Sequence, residues 1–169
     1  FRPVILSLLH QKEENRIAEQ HYNDYMKYIY NFFICYNVIG EDKSNKLEDP
    51  IYKYSPMLEN DFSEDTLNMF IDSLNKRLPN KDAFVNLFKN IGWSNHTTFY
   101  NDSNNKERVK LVLEILEKNK SGQNITDYTI EHILPDSESE DNAQIGNLLP
   151  LEKELNRRCD NLCLNKKIS

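Results

Sequence analysis

The feature that most constrains this chain is a change of apolar period part-way along it. Up to about residue 122 apolar residues recur at helical spacing, whereas from Tyr128 to Ile133 they alternate. The longest stripe is Tyr22, Tyr25, Met26, Ile29, Phe32, Phe33 and Tyr36, one face of a sustained amphipathic helix. An aromatic stripe at that spacing is read as core and not as a base-stacking or cofactor surface. Gly40 is the stop signal, and Glu41 to Asn45 form a polar connector. Pro50 to Leu58 suits a short helix interrupted at Pro56. Ser63 is a good N-cap for a helix striped with Leu67, Phe70, Ile71, Leu74 and Leu78. Asn80 caps a shorter one with Phe84, Leu87 and Phe88 facing in. Gly92 to Asn105 is polar and irregular and includes Trp93, His96, Phe99 and Tyr100; two aromatics there could stack bases, but the stretch is read as a surface loop capping the core. From there a strong helix runs to about Asn119, with Val109, Val112, Leu113 and Leu116 on one face.

Ser121-Gly122-Gln123-Asn124 ends that helix and opens a different kind of unit. Tyr128-Thr129-Ile130-Glu131-His132-Ile133 reads as a short strand, stopped by Pro135, which has no N–H for a ladder. Gly146-Asn147 is a tight-turn pair leading into the apolar Leu148-Leu149. After Pro150 the pattern turns helical, with Leu151 and Leu155 one turn apart and Asn156 beside them. The expected fold is therefore mainly α (α+β). A helical domain spans 1–122, and a small ββα unit spans 123–169 and brings Glu131, His132, Asn147 and Asn156 together.

The order Glu131-His132-Ile133-Leu134-Pro135, Gly146-Asn147-Leu148, Leu155-Asn156, Asn161 and Lys166 resembles the His-Me finger (HNH) nucleases. It is most similar to the nuclease domain of GmrSD-type, modification-dependent restriction endonucleases. Asp136 departs from that pattern, where the family usually has Gln, and so does Pro150, where Thr or Leu is common. The resemblance is strong over Asp127 to Lys167 and general elsewhere. It implies a β-hairpin packed on one helix around a single divalent metal ion, and a DNA endonuclease acting on foreign or base-modified DNA. It also implies a nucleotide-dependent sensor domain N-terminal to this part of the protein and a role in defence against phage.

The chemistry of phosphodiester hydrolysis asks for the same residue types. Water must lose a proton as it attacks, and a cation must stabilise charge on the phosphate and the leaving oxygen. His132 is the candidate general base, since the unperturbed imidazole pKa lies nearest neutrality. Glu131 and the amide oxygen of Asn156 could supply oxygen ligands to Mg²⁺ or Mn²⁺. Asn147 would fix the loop, and with it the His132 main chain or tautomer. Arg157 and Lys166 are the candidate phosphate contacts. Neighbours on a strand point to opposite faces, so Glu131 and His132 can both face a metal only if a bend or bulge intervenes. His10, His21 and His96 are read as ordinary surface or core histidines.

The 169 residues carry a formal charge of −6, which is inconvenient for a protein that holds phosphate backbones. The distribution softens this. Glu131 to Pro150 holds five acids and no Lys or Arg, read as a solvated loop with a metal-attracting or autoinhibitory feature as the alternative, whereas Leu151 to Ser169 carries five bases against three acids. That basic helix is the phosphate-facing surface, and another domain is expected to supply most of the DNA affinity. Three cysteines argue against a disulfide framework and for a reducing cytosol, so a cytoplasmic protein is expected. Cys159 and Cys163 lie one helical turn apart, but zinc wants four ligands, usually in two pairs, and is not expected. No apolar run approaches the length that spans a bilayer, so no membrane partner is expected, while a homo-oligomer is left open. Phe1-Arg2-Pro3 has no initiator Met and the last residues stop within a helical-looking stretch, so the chain reads as a C-terminal fragment truncated in its last helix. Against the nuclease stands a second reading, a helical interaction module whose nuclease-like unit is inactive. Intact His132, Asn147 and Asn156 argue against such decay.

Overall fold

The long aromatic stripe does form a helix, and its far end shows how the chain stops one. The computed structural model describes residues 1–96 and 103–159. Helix α1 spans Arg2–Glu13 and α2 spans Glu19–Phe33. The backbone then widens into a π-helix over Ile34–Ile39, which carries the stripe on to the buried Tyr36. Ile29 and Phe32 are buried and Tyr22, Tyr25 and Met26 half-buried, whereas Phe33 lies exposed. Gly40 ends the run, donating its N–H to the Cys35 carbonyl at 3.0 Å. A side chain there would place its Cβ 2.7 Å from the Tyr36 carbonyl oxygen, so close approach requires the glycine.

Helices α3 (Glu48–Asn60) and α4 (Glu64–Asn75) complete the first of two compact units, Phe1–Phe84. Helix α1 packs on α2 and α3, and α3 packs on α4. Their shared core includes Val4, Leu8, Phe32, Leu58, Phe70 and Leu74. The fully buried Gln11 is satisfied: its Nε2 donates to the Glu59 carbonyl at 2.7 Å and its Oε1 accepts from Arg16 at 3.2 Å. Helix α3 runs unbroken through Pro56, contrary to the interruption expected there. Pro56 sits on the exposed side of the helix, as does Tyr52 one turn before it. The carbonyl that the proline leaves unbonded therefore faces water.

The Ser63 cap is present, its Oγ accepting the Thr66 N–H at 3.1 Å. Ser63→Ala is expected to cost about 1 kcal/mol, seen as a lower denaturation midpoint with an unchanged slope. Helix α5 (Lys81–Lys89) starts at the Asn80 side chain, which accepts the Ala83 N–H at 2.9 Å. Its Phe84, Leu87 and Phe88 are half-buried.

From Val85 onward the chain forms the second unit. Helix α6 (Ser103–Ser121) ends at Gly122, which takes the left-handed conformation at φ 75° that a C-terminal cap favours. Strand β1 (Tyr128–His132) pairs antiparallel with β2 (Leu148–Glu152), and α7 (Lys153–Cys159) follows. Helix α6 packs on β2, and α7 packs on both strands. Val109, Val112, Leu113, Ile130 and Leu148 are buried. Leu116, expected on the buried face of α6, is exposed.

Strand β2 runs through Pro150 to Glu152, and Leu151, expected in the helix, pairs with Thr129. A two-stranded sheet consists only of edges, so a proline with no N–H costs it little. The architecture is thus mainly α with one small antiparallel sheet. Among the described residues no helix is long and apolar enough to cross a membrane. Phe99, Tyr100, Asn161, Cys163, Lys166 and Lys167 lie outside the described residues, as do the side chains of Arg158 and Cys159.

Candidate active site

The register of the hairpin decides what Glu131 and His132 can each reach. Glu131 stands opposite Leu149 and His132 opposite Leu148, an unbroken pairing. Alternation therefore sends Tyr128, Ile130 and His132 to one face and Thr129 and Glu131 to the other. The bulge expected between Glu131 and His132 is absent. The chain bends instead at Ile133 and Leu134. Asn147 explains the displacement. Its carbonyl accepts the Ile133 N–H at 2.9 Å and so holds the backbone just beyond His132 in place.

The Asn147 side chain ties down the rest of the loop. Its Oδ1 accepts the Leu134 N–H at 2.9 Å, while Nδ2 donates to the carbonyls of Leu134 at 2.8 Å and Asn142 at 2.6 Å. A side-chain amide is well suited here, because one group must donate twice and accept once.

On the His132 face, Ile91 to Trp93 run beside Ala143 to Ile145. The Trp93 N–H donates to the Ala143 carbonyl at 2.9 Å, and the Ile145 N–H donates to the Ile91 carbonyl at 2.7 Å. This brings the Trp93 carbonyl to 2.9 Å from His132 Nε2. A carbonyl can only accept, so the contact calls for a proton on Nε2, and in the neutral form of the ring that leaves the lone pair on Nδ1. The Trp93 and His132 rings stack with centroids 6.1 Å apart at 25°, and the Lys106 ammonium lies 4.2 Å from the indole centroid. The Asp136 carboxylate is 3.6 Å from the same Nε2, and the two side chains are only 12% and 14% exposed. Ser94 donates its hydroxyl to that carboxylate.

At the start of β1 the Tyr128 hydroxyl lies 2.9 Å from a Glu114 carboxylate oxygen, anchoring the strand to α6. Burial pushes its phenol pKa up, and the bond to Glu114 adds to that.

The opposite face belongs to α7. Asn156 donates its Nδ2 to Thr129 Oγ1 at 2.8 Å, which places its amide on the face that carries the Glu131 carboxylate. With the nitrogen turned to Thr129, the amide oxygen is the end suited to a cation. A carboxylate and an amide oxygen on one strand face form a hard donor set that fits Mg²⁺ or Mn²⁺ retaining several waters. Among the described residues, no three His, Cys, Asp or Glu side chains gather into a fuller metal-binding group. Arg157, a candidate phosphate contact, holds both oxygens of Glu154 at 3.2 Å, an exposed pair that solvent screens. Lys166, the other candidate, is among the residues not described.

The sequence did not mark Trp93 and Asp136 as partners of His132, or Ser94 as the partner of Asp136. Trp93 contributes a backbone carbonyl, which no residue type announces, from 39 positions away. Ser94 reaches Asp136 across 42 positions. Asp136 alone had a local signal, an acid four residues after the histidine. No protein-family model, curated protein or solved structure matches this chain.

Proposed function

We propose that this chain is the nuclease part of a divalent-metal-dependent DNA endonuclease, with His132 as general base. The observation that carries the reading is the hydrogen bond from His132 Nε2 to the Trp93 carbonyl. It leaves Nδ1 as the basic nitrogen of a ring held at the end of β1, with the Glu131 carboxylate and the Asn156 amide on the opposite face of the strand. His132 Nδ1 takes a proton from the attacking water, and the new P–O bond forms as the bond to the leaving oxygen breaks. Glu131 and Asn156 would hold a divalent cation, which would supply charge stabilisation at the phosphate and the leaving oxygen. Asn147 keeps the 133–134 backbone from moving, so the imidazole stays in one place between turnovers. Arg157 can exchange its surface pair with Glu154 for a DNA phosphate at small cost.

The resemblance extends the proposal. The whole protein would carry a nucleotide-dependent sensor domain and restrict foreign or base-modified DNA in the cytoplasm. The test is cleavage of plain and base-modified plasmid with Mg²⁺ or Mn²⁺ and a chelator control, together with calorimetric titration of the metal. Asn156→Ala is expected to weaken metal binding at least about tenfold and to lower cleavage with it. If the wild-type protein neither binds the metal nor cuts either plasmid, the nuclease reading fails. The helical interaction module with an inactive nuclease-like unit then replaces it.

A further inference from the structure

We infer that Asp136 is a positioning residue for His132: its carboxylate, fixed by Ser94, keeps the proton on Nε2 and the lone pair on Nδ1. The inference builds on the reading of His132 as base, but the geometry behind it does not depend on DNA.

His132 Nε2 faces two electron-rich groups, the Trp93 carbonyl at 2.9 Å and the Asp136 Oδ2 at 3.6 Å. In the alternative tautomer the Nε2 lone pair would point at both. A carbonyl offers only a dipole, whereas the carboxylate adds a full negative charge in a pocket with little solvent to screen it. Asp136 therefore makes the unproductive tautomer costly in a way the carbonyl alone does not.

The carboxylate is itself held. Ser94 is fully buried; its Oγ accepts the His96 N–H at 2.9 Å, which turns its single proton toward Asp136 Oδ2. His96 Nε2 lies 3.9 Å from the other carboxylate oxygen, on the more exposed side.

The test reads the ring directly. Nitrogen-15 spectra of the histidine rings are recorded on the metal-free protein at mildly alkaline pH, for wild type, Asp136→Ala, Asp136→Asn and Ser94→Ala. His132 is assigned by the loss of its signals in His132→Gln. In the wild type, Nε2 is expected to resonate as the protonated nitrogen and Nδ1 as the bare one. In Asp136→Ala the two shifts are expected to move toward each other as the tautomers mix. Asp136→Asn keeps the volume and loses the charge, so it should show the same convergence if Asp136→Ala folds poorly. Ser94→Ala should show a smaller one. Plasmid cleavage is expected to fall about tenfold to a hundredfold in kcat with KM unchanged. Ring shifts in the Asp136 variants that coincide with wild type overturn the inference, whatever cleavage does. If wild type cuts no DNA and the shifts still converge, the positioning inference stands and the endonuclease reading falls.

Discussion

Replacing His132 with Ala is expected to lower metal-dependent DNA cleavage by about 10²- to 10⁴-fold, the range a positioned general base supplies. Nε2 is already committed to the Trp93 carbonyl, so the substitution removes the one basic nitrogen the ring presents and leaves bulk solvent to take the proton. Metal affinity should change little, because Glu131 and Asn156 belong to the other face of the strand. This separation is what gives the experiment its force. A variant that cuts slowly yet binds Mg²⁺ with wild-type affinity has lost proton transfer and not the metal. His132→Gln, which keeps more of the packing against Trp93, should be nearly as slow and guards against a folding defect. Cleavage within threefold of wild type in both variants would remove His132 from the mechanism.

Phe70→Ala is expected to destabilise the first unit by about 3–5 kcal/mol, the usual cost of removing a buried aromatic ring. Phe70 is 1% exposed on α4 and sits in the cluster where α1, α2, α3 and α4 meet. Its ring packs edge-to-face on Tyr54 of α3, with centroids 5.9 Å apart at 60°. The substitution loses the transfer free energy of the ring and leaves a cavity that four packed helices can close only in part. Urea unfolding followed by circular dichroism should show the midpoint falling sharply. A loss below about 1 kcal/mol would mean that the core can collapse onto the gap, and the close packing read at Phe70 would be wrong.

Much of the helical part was legible because its signals are local. The Ser63 cap, the Asn80 cap and the stripe of Leu67, Phe70 and Leu74 each depend on residues within a turn or two of one another. Pro56 misled for the same reason: local chemistry predicts a break, and only the exposure of that side of α3 makes the missing bond harmless. Pro150 misled likewise, since a two-stranded sheet tolerates what a wider one would not.

By itself the sequence determined that the chain is mainly helical, that the period changes before Tyr128, and that Glu131, His132, Asn147 and Asn156 share one small unit. Those are properties of periodicity and short spacing, which each element carries in its own residues. Only the tertiary structure decided that Glu131 and His132 face apart, that Asn156 turns to Thr129, and that His132 rests on Trp93 and Asp136. The physical reason is that register and backbone hydrogen bonds are set by which segments lie side by side. Ile91 to Trp93 meet Ala143 to Ile145 through main-chain groups common to every residue, so the carbonyl that faces His132 Nε2 leaves no mark in the sequence.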